Sequence, residues 1–137
     1  AAWDLPGGGA IDLSDFAELP YISGFDSTPA GQVCRNLFAE ASVEPRVVAT
    51  IHTHHLAGRL VQRGMGYAVL DSVTLRALLH EQGSDTVVIR RIAGEPTIPV
   101  TAIFRARRSQ ENQTQLFVEC YEQAYQALID TVEERLP

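Results

Sequence analysis

The sequence contains no lysine, so all of its cationic side chains are arginines, 11 in number against 17 aspartates and glutamates. The resulting net charge of −6 excludes a protein whose whole surface binds nucleic acid, because phosphate binding depends on clustered positive charge. No apolar run approaches the roughly 18 residues that a transmembrane helix needs, and no signal-peptide pattern opens the chain. Two cysteines, Cys34 and Cys120, are too few for a disulfide framework. We therefore expect a cytoplasmic protein.

The composition that is present is that of one globular domain, with 45% hydrophobic and 20% charged residues in a chain of 137. Short apolar runs alternate with helical patterns at a spacing of roughly 20–25 residues, which is typical of an α/β fold with a mainly parallel sheet flanked by helices. Strands are predicted at residues 19–25, 46–51, 66–70, 86–92 and 98–105. Three helices are predicted to follow Thr28-Pro29, Thr53 and Asp71-Ser72, the latter two ending at Gly64 and Gly83. Ser14 is predicted to cap a short turn at residues 15–18.

The last segment predicts one long helix from a cap at Ser109 to Arg135. An apolar stripe follows it, formed by Leu116, Phe117, Cys120, Ala124, Leu128 and Val132. At 1.5 Å per residue this helix would be roughly 40 Å long, which is about the diameter of a globule of this chain length. We therefore expect part of the stripe to require a neighbour.

Three strand-to-helix junctions, at residues 23–28, 51–55 and 70–72, carry hydroxyl groups. In an open parallel sheet such junctions lie at the carboxyl ends of the strands, where helix N-termini present unpaired N–H groups. Together they would form a half-cleft suited to a carboxylate or another small polar group. The candidate ligand-binding residues are Ser23, Ser27, Thr28, His52, Thr53, His54, Asp71 and Ser72. The alternative is that the hydroxyls are plain caps, each stabilising its helix by about 1 kcal/mol.

Three of the four histidines, His52, His54 and His55, lie in the second junction. They lack the i, i+4 spacing of helical zinc sites, and no cysteine or glutamate stands near them, so we expect no bound metal. We expect His52 and His54 to line the pocket and to face an anionic ligand, with ordinary surface caps as the alternative. No supported nucleophile–base pair and no phosphate-binding glycine loop occurs, so we expect neither catalysis nor a cofactor.

The stretch LAGRLVQRGMGYAVLDS, residues 56–72, resembles the effector-binding domain of LysR-type transcriptional regulators. The typical family pattern is a helix ending in Leu-Val, two or three residues, Gly-x-Gly and a buried strand. Leu60-Val61, Gly64, Gly66 and residues 67–70 match it here. The stretches AIDLSDFAELPYI (10–22), EPRVVATIH (44–52) and VVIRRIAGEPTIPVTAIFRARR (87–108) match the family in the same order, as does the final helix. The resemblance covers nearly the whole chain.

This resemblance implies one lobe of a type 2 periplasmic-binding-protein-like fold, plus a C-terminal strand and long helix from the other lobe. Residues 1–94 would be regulatory subdomain two, and residues 95–137 the return crossover, strand and C-terminal helix of subdomain one. The implied function is to sense a small anionic metabolite in the cleft between the lobes and to control transcription. The alternative is a fragment of a solute-binding protein for transport.

The resemblance also implies the partners of the chain, and the chain differs from the family pattern at one position. DNA would be bound only through an N-terminal helix-turn-helix, which is not found in these 137 residues, so we expect this chain alone to bind no operator DNA. Because strand 98–105 and the stripe of the last helix would lack their family partners, we expect a homodimer or a higher homo-oligomer. The family usually has proline where this chain has Asp71, which changes the charge of the pocket wall.

Overall fold

The computed structural model describes residues 9–80, 86–94, 96–98, 101 and 111–133. Within them a 3₁₀ helix (Leu13–Phe16) precedes β1 (Tyr21–Gly24), α1 (Pro29–Glu40), β2 (Val47–Ile51), α2 (His54–Gln62), α3 (Ser72–Leu79) and α4 (Glu111–Glu133). β1 and β2 form a parallel sheet in which Tyr21 lies opposite Val47 and Gly24 opposite Ile51. The mixed α/β class and the parallel pairing are confirmed, although the regular sheet is smaller than predicted.

Residues 66–70, predicted as a third strand, pair with β1 at only one position, so the prediction of a full strand was wrong. Tyr67 forms a parallel bridge with Tyr21, in which the Tyr67 N–H donates to the Pro20 carbonyl and the Ile22 N–H donates to the Tyr67 carbonyl, both at 2.9 Å. One reason that this pairing extends no further toward the start of β1 is that Pro20 has no N–H to donate. β1 is nevertheless central, with β2 on one side and this parallel segment on the other.

The predicted strand at residues 86–92 is also wrong as a regular strand within the described residues. Its single bridge joins Ile92 to Ile11, and Val88 in the middle of its apolar run is 58% exposed. The run therefore does not form the strand that the sequence predicted. Gly83 and Ser109 lie outside the described residues, as do residues 102–105 of the predicted fifth strand.

Local capping chemistry begins each of the first three helices, as predicted. The side chains of Thr28, Thr53 and Asp71 accept hydrogen bonds from backbone N–H groups in the first turns of α1, α2 and α3. α2 ends just before Gly64, whose φ of +74° is the left-handed conformation that glycine adopts most easily. The prediction of Ser14 as the first cap was wrong, because the Asp12 carboxylate accepts from the Ser14 N–H and hydroxyl instead.

The core lies on both faces of the sheet, because neighbouring residues of β1 point to opposite sides. Tyr21 packs with Leu13 and Phe38 on the α1 side, and Ile22 packs with Ile51 and Ala57 on the α2 side. Cys34 is buried in α1 as a free thiol.

α4 packs against α3, yet much of its apolar stripe stays accessible. Leu116, Phe117 and Tyr121 are 61%, 59% and 45% exposed, and Phe117, Tyr121 and Tyr125 form a ladder with ring centroids 6.3 and 6.1 Å apart. Among the described residues, no helix combines the length and apolar character that a membrane crossing needs.

Two glycines in the turn after α2 give a matched stability prediction. A Cβ on Gly66 would overlap the Pro20 carbonyl oxygen, which accepts the Tyr67 N–H, whereas a Cβ on Gly64 would meet open space. We expect Gly64→Ala to cost about 1 kcal/mol through its left-handed backbone alone, and Gly66→Ala to cost roughly 2–3 kcal/mol through overpacking. Urea unfolding of both variants measures the difference, and an equal or smaller loss for Gly66→Ala would contradict the packing described here.

Candidate functional site

The three predicted junctions open at one edge of the sheet. β1, β2 and the bridged segment at Tyr67 run parallel, so their carboxyl ends point the same way and each is followed by a helix N-terminus. We call the residues at this edge the rim: residues 24–28, 52–54 and 71–72. The rim therefore presents the first turns of α1, α2 and α3 side by side.

A hydrogen bond between His54 and Asp71 joins the second junction to the third. His54 Nδ1 lies 2.7 Å from Asp71 Oδ2, and the two side chains are 16% and 30% exposed. The His54 ring also lies against the end of β1, since a Cβ built on Gly24 would stand 3.6 Å from Nε2. His54 thus lies beside the end of the central strand and is hydrogen-bonded to the third junction.

Asp71 accepts from three donors at once. Besides His54, the Thr74 N–H donates to Oδ1 and the Thr74 hydroxyl donates to Oδ2, both at 2.8 Å. Burial acts to raise the pKa of Asp71, but the hydrogen bonds from His54 and Thr74 outweigh burial and hold that pKa well below its ordinary value. An ionised carboxylate can only accept, so His54 Nδ1 carries the proton in this pair.

An aromatic stack joins the first junction to the second. The Phe25 and His52 rings lie 3.9 Å apart between centroids and only 10° from parallel. Next to them, the Thr28 hydroxyl donates to the Phe25 carbonyl at 2.8 Å while its oxygen accepts the Gly31 N–H at 3.0 Å. Thr28 therefore holds the turn that leads into α1, and this turn carries Phe25 of the stacked pair.

The remaining candidates are distributed unevenly. The Thr53 hydroxyl accepts the Leu56 N–H at 3.4 Å, and Ser72 is the first residue of α3, directly after Asp71. Ser23 and Ser27 line a neighbouring open cavity of about 610 Å³ that runs along α1, and the Ser23 hydroxyl donates to the Gly24 carbonyl at 2.9 Å. The cluster around His54 and Asp71 accordingly contains fewer residues than the eight that were predicted.

Sequence reasoning missed three residues that shape the rim. Gly24 lies beside the His54 ring, Phe25 stacks on His52, and the Thr74 hydroxyl donates to Asp71. Only Thr74 had a usable signal, because it is the third residue after the aspartate cap, the position whose N–H such a cap accepts. In the part of the chain that the structure describes, no three metal-ligating side chains are grouped closely enough to hold an ion.

The depressed pKa of Asp71 generates a pH prediction. Because the folded-state pKa is lowered, the carboxylate stabilises the fold above its unfolded pKa of about 3.9, and that stability is lost as the pH falls toward the folded value. We expect Asp71→Asn to destabilise the protein at pH 7 by roughly 1–2 kcal/mol and to flatten the loss of stability below about pH 4.

Thermal unfolding from pH 7 to pH 2 measures both effects, with Asp15→Asn as the control that removes an equal charge from an exposed position. Parallel pH profiles for the wild type and Asp71→Asn would contradict the assignment.

Comparison with protein families gives one match, the LysR substrate binding domain, over residues 1–126 of the chain. Comparisons with curated proteins and with solved structures gave no significant match. The family match covers most of the 137 residues and favours a regulator over the transport alternative. The chain therefore belongs to the LysR substrate-binding domain family, in which it is a non-enzymatic, effector-binding regulatory domain of a LysR-type regulator.

Proposed function

We propose that this domain binds a small anionic metabolite at the rim and thereby controls transcription in the cytoplasm. In this proposal residues 1–94 form the effector-binding lobe, and residues 95–137 return the chain to a second lobe that closes over the rim. DNA contact is made by a separate helix-turn-helix and not by this acidic chain.

The observation that carries the proposal is the convergence of three helix N-termini on the His54–Asp71 pair. Each N-terminus contributes partial positive charge and N–H groups that favour an anion. Asp71 holds the His54 ring at Nδ1, which leaves Nε2 beside Gly24 as the imidazole atom available to a ligand. A carboxylate seated over the end of β1 would accept from the Nε2–H of the imidazolium form, whose Nδ1–H stays on Asp71, and from N–H groups in the first turn of α1.

The mechanism is a shift in the populations of two lobe arrangements. A ligand moves such an equilibrium only by the difference between its affinities for the two states. A metabolite that bridges the rim and the opposite lobe binds the closed arrangement more tightly, and this difference in affinity is what reaches the DNA-binding domain. A ligand that bound the rim equally well in both lobe arrangements would occupy the site without changing transcription.

Thermal-shift screening of organic acids on the intact protein tests the proposal. At a concentration one hundred times its Kd, a ligand stabilises by about 2.7 kcal/mol, which is a rise of several degrees in Tm. We expect Thr28→Ala and His54→Ala to reduce this rise for the acid that gives it, because both side chains belong to the rim.

His80→Ala is the matched control, since His80 is an exposed histidine at the far end of α3. The placement of the effector would be overturned if the rise in Tm persisted in both rim variants, or if His80→Ala reduced it equally.

We also propose that the protein self-associates through the accessible stripe on α4. Leu116 is 61% exposed, and contiguous apolar surface of this kind is typical of protein interfaces. We expect sedimentation equilibrium to show a dimer or larger species, and Leu116→Glu to shift it toward monomer. Gln126→Glu adds the same charge to the opposite side of α4 and should leave the mass unchanged. A monomeric wild type at high concentration would contradict this expectation.

A further inference from the structure

A cavity of about 350 Å³ lies between residues 66–70, α2, α3 and residues 86–92. We call it the edge cavity. None of the eight candidate residues of the effector site lines it, so it is a separate feature from the rim. Its volume falls in the range of small-molecule pockets, roughly 300–1,000 Å³, and exceeds the roughly 150 Å³ in which a dry apolar cavity holds benzene.

Most of the wall of the edge cavity is aliphatic. Val61 on α2, Leu75 and Leu78 on α3, and Leu70 and Ile92 from the two segments face it. Such a wall offers few hydrogen bonds to water, and it therefore favours a ligand with a compact apolar part. Apolar contact alone would not choose among ligands, so selectivity depends on the polar atoms in the same wall.

Three lining residues carry a buried hydrogen-bond donor that has no partner among the described residues: Gln62 at Nε2, Tyr67 at its hydroxyl and Arg90 at Nε. Leaving one such group unpaired costs about 1–3 kcal/mol, so three in one cavity are unusual for a native protein. A ligand that supplied acceptors would remove this cost.

Two of these side chains are also held by another of their polar atoms. Gln62 Oε1 accepts from Arg59 Nη1 at 3.0 Å, which leaves the amide N–H groups as the free end. Arg90 Nη1 donates to the Ile89 carbonyl at 2.8 Å, which restrains the guanidinium. Burial raises the pKa of Tyr67 to about 12, so its hydroxyl keeps its proton at neutral pH.

The complement of these groups is an acceptor with negative charge. Arg90 is cationic at all accessible pH values, and guanidinium pairs best with a planar carboxylate. We propose that the edge cavity binds a second small molecule, an organic acid with a compact aliphatic body whose carboxylate accepts from Arg90, Tyr67 and Gln62. This site is additional to the effector site at the rim and does not depend on it.

Titration with cyclohexanecarboxylate, followed by methyl NMR of the 137-residue protein, tests the proposal. We expect saturable shifts of the Leu75 and Leu78 methyl groups, and much weaker binding of cyclohexylmethanol, which keeps the body and loses the carboxylate. Arg90→Met should weaken binding at least tenfold. Arg91→Met removes the same charge at the next residue, which does not line the cavity, and should not weaken it.

Tyr67→Phe is the second variant if Arg90→Met does not fold, and it should weaken binding several-fold. Absence of saturable shifts up to millimolar acid, or equal binding of the acid and the alcohol, would overturn the proposal and indicate that water satisfies the three donors. Thr28→Ala separates the two sites: methyl shifts abolished by Thr28→Ala would place the acid at the rim and also overturn the proposal, whereas unchanged shifts support it.

Discussion

The central position of β1 is the constraint on which the rest of the structure depends. Its backbone pairs with β2 along one side and with Tyr67 along the other, in the same direction in both cases. Because side chains alternate across a strand, Tyr21 and Ile22 then anchor a core on each face. Because the three paired segments are parallel, all of them end at the same edge of the sheet, and a helix begins after each one.

At that edge the structure shows the capping role of three candidate binding side chains, and this role is compatible with the proposed binding role. Thr28, Thr53 and Asp71 each satisfy a backbone N–H of their helix, but a helix N-terminus has about four such groups. Capping therefore fixes the geometry of the first turn without using up its donors. The Phe25–His52 stack then connects the first junction to the second, and the His54–Asp71 hydrogen bond connects the second to the third.

The parts of this arrangement that could be predicted are those with local causes. Thr28-Pro29, Thr53 and Asp71 mark helix starts through chemistry that acts within three residues, and the structure confirms all three. The His54–Asp71 pair spans 17 residues and exists only because β1 lies between its partners, so no local pattern indicated it. Residues 66–70 were over-predicted as a strand because an apolar run indicates burial, whereas ladder pairing also needs a backbone donor, which Pro20 lacks. Residues 86–92 were over-predicted because their apolar run is not a buried one: Val88 is exposed and only Ile92 forms a bridge.

Asp71 stands where the sequence resemblance implies a proline, and the aspartate does more than change the charge of the wall. Proline at this position would start α3 with a fixed backbone but could accept none of the bonds from His54 and Thr74. His54 would then have no carboxylate at Nδ1, and either ring nitrogen could carry the proton. The aspartate thus determines which nitrogen of His54 remains beside Gly24. The side chains of residues 54 and 71 consequently form one hydrogen-bonded unit, which a proline at position 71 would remove.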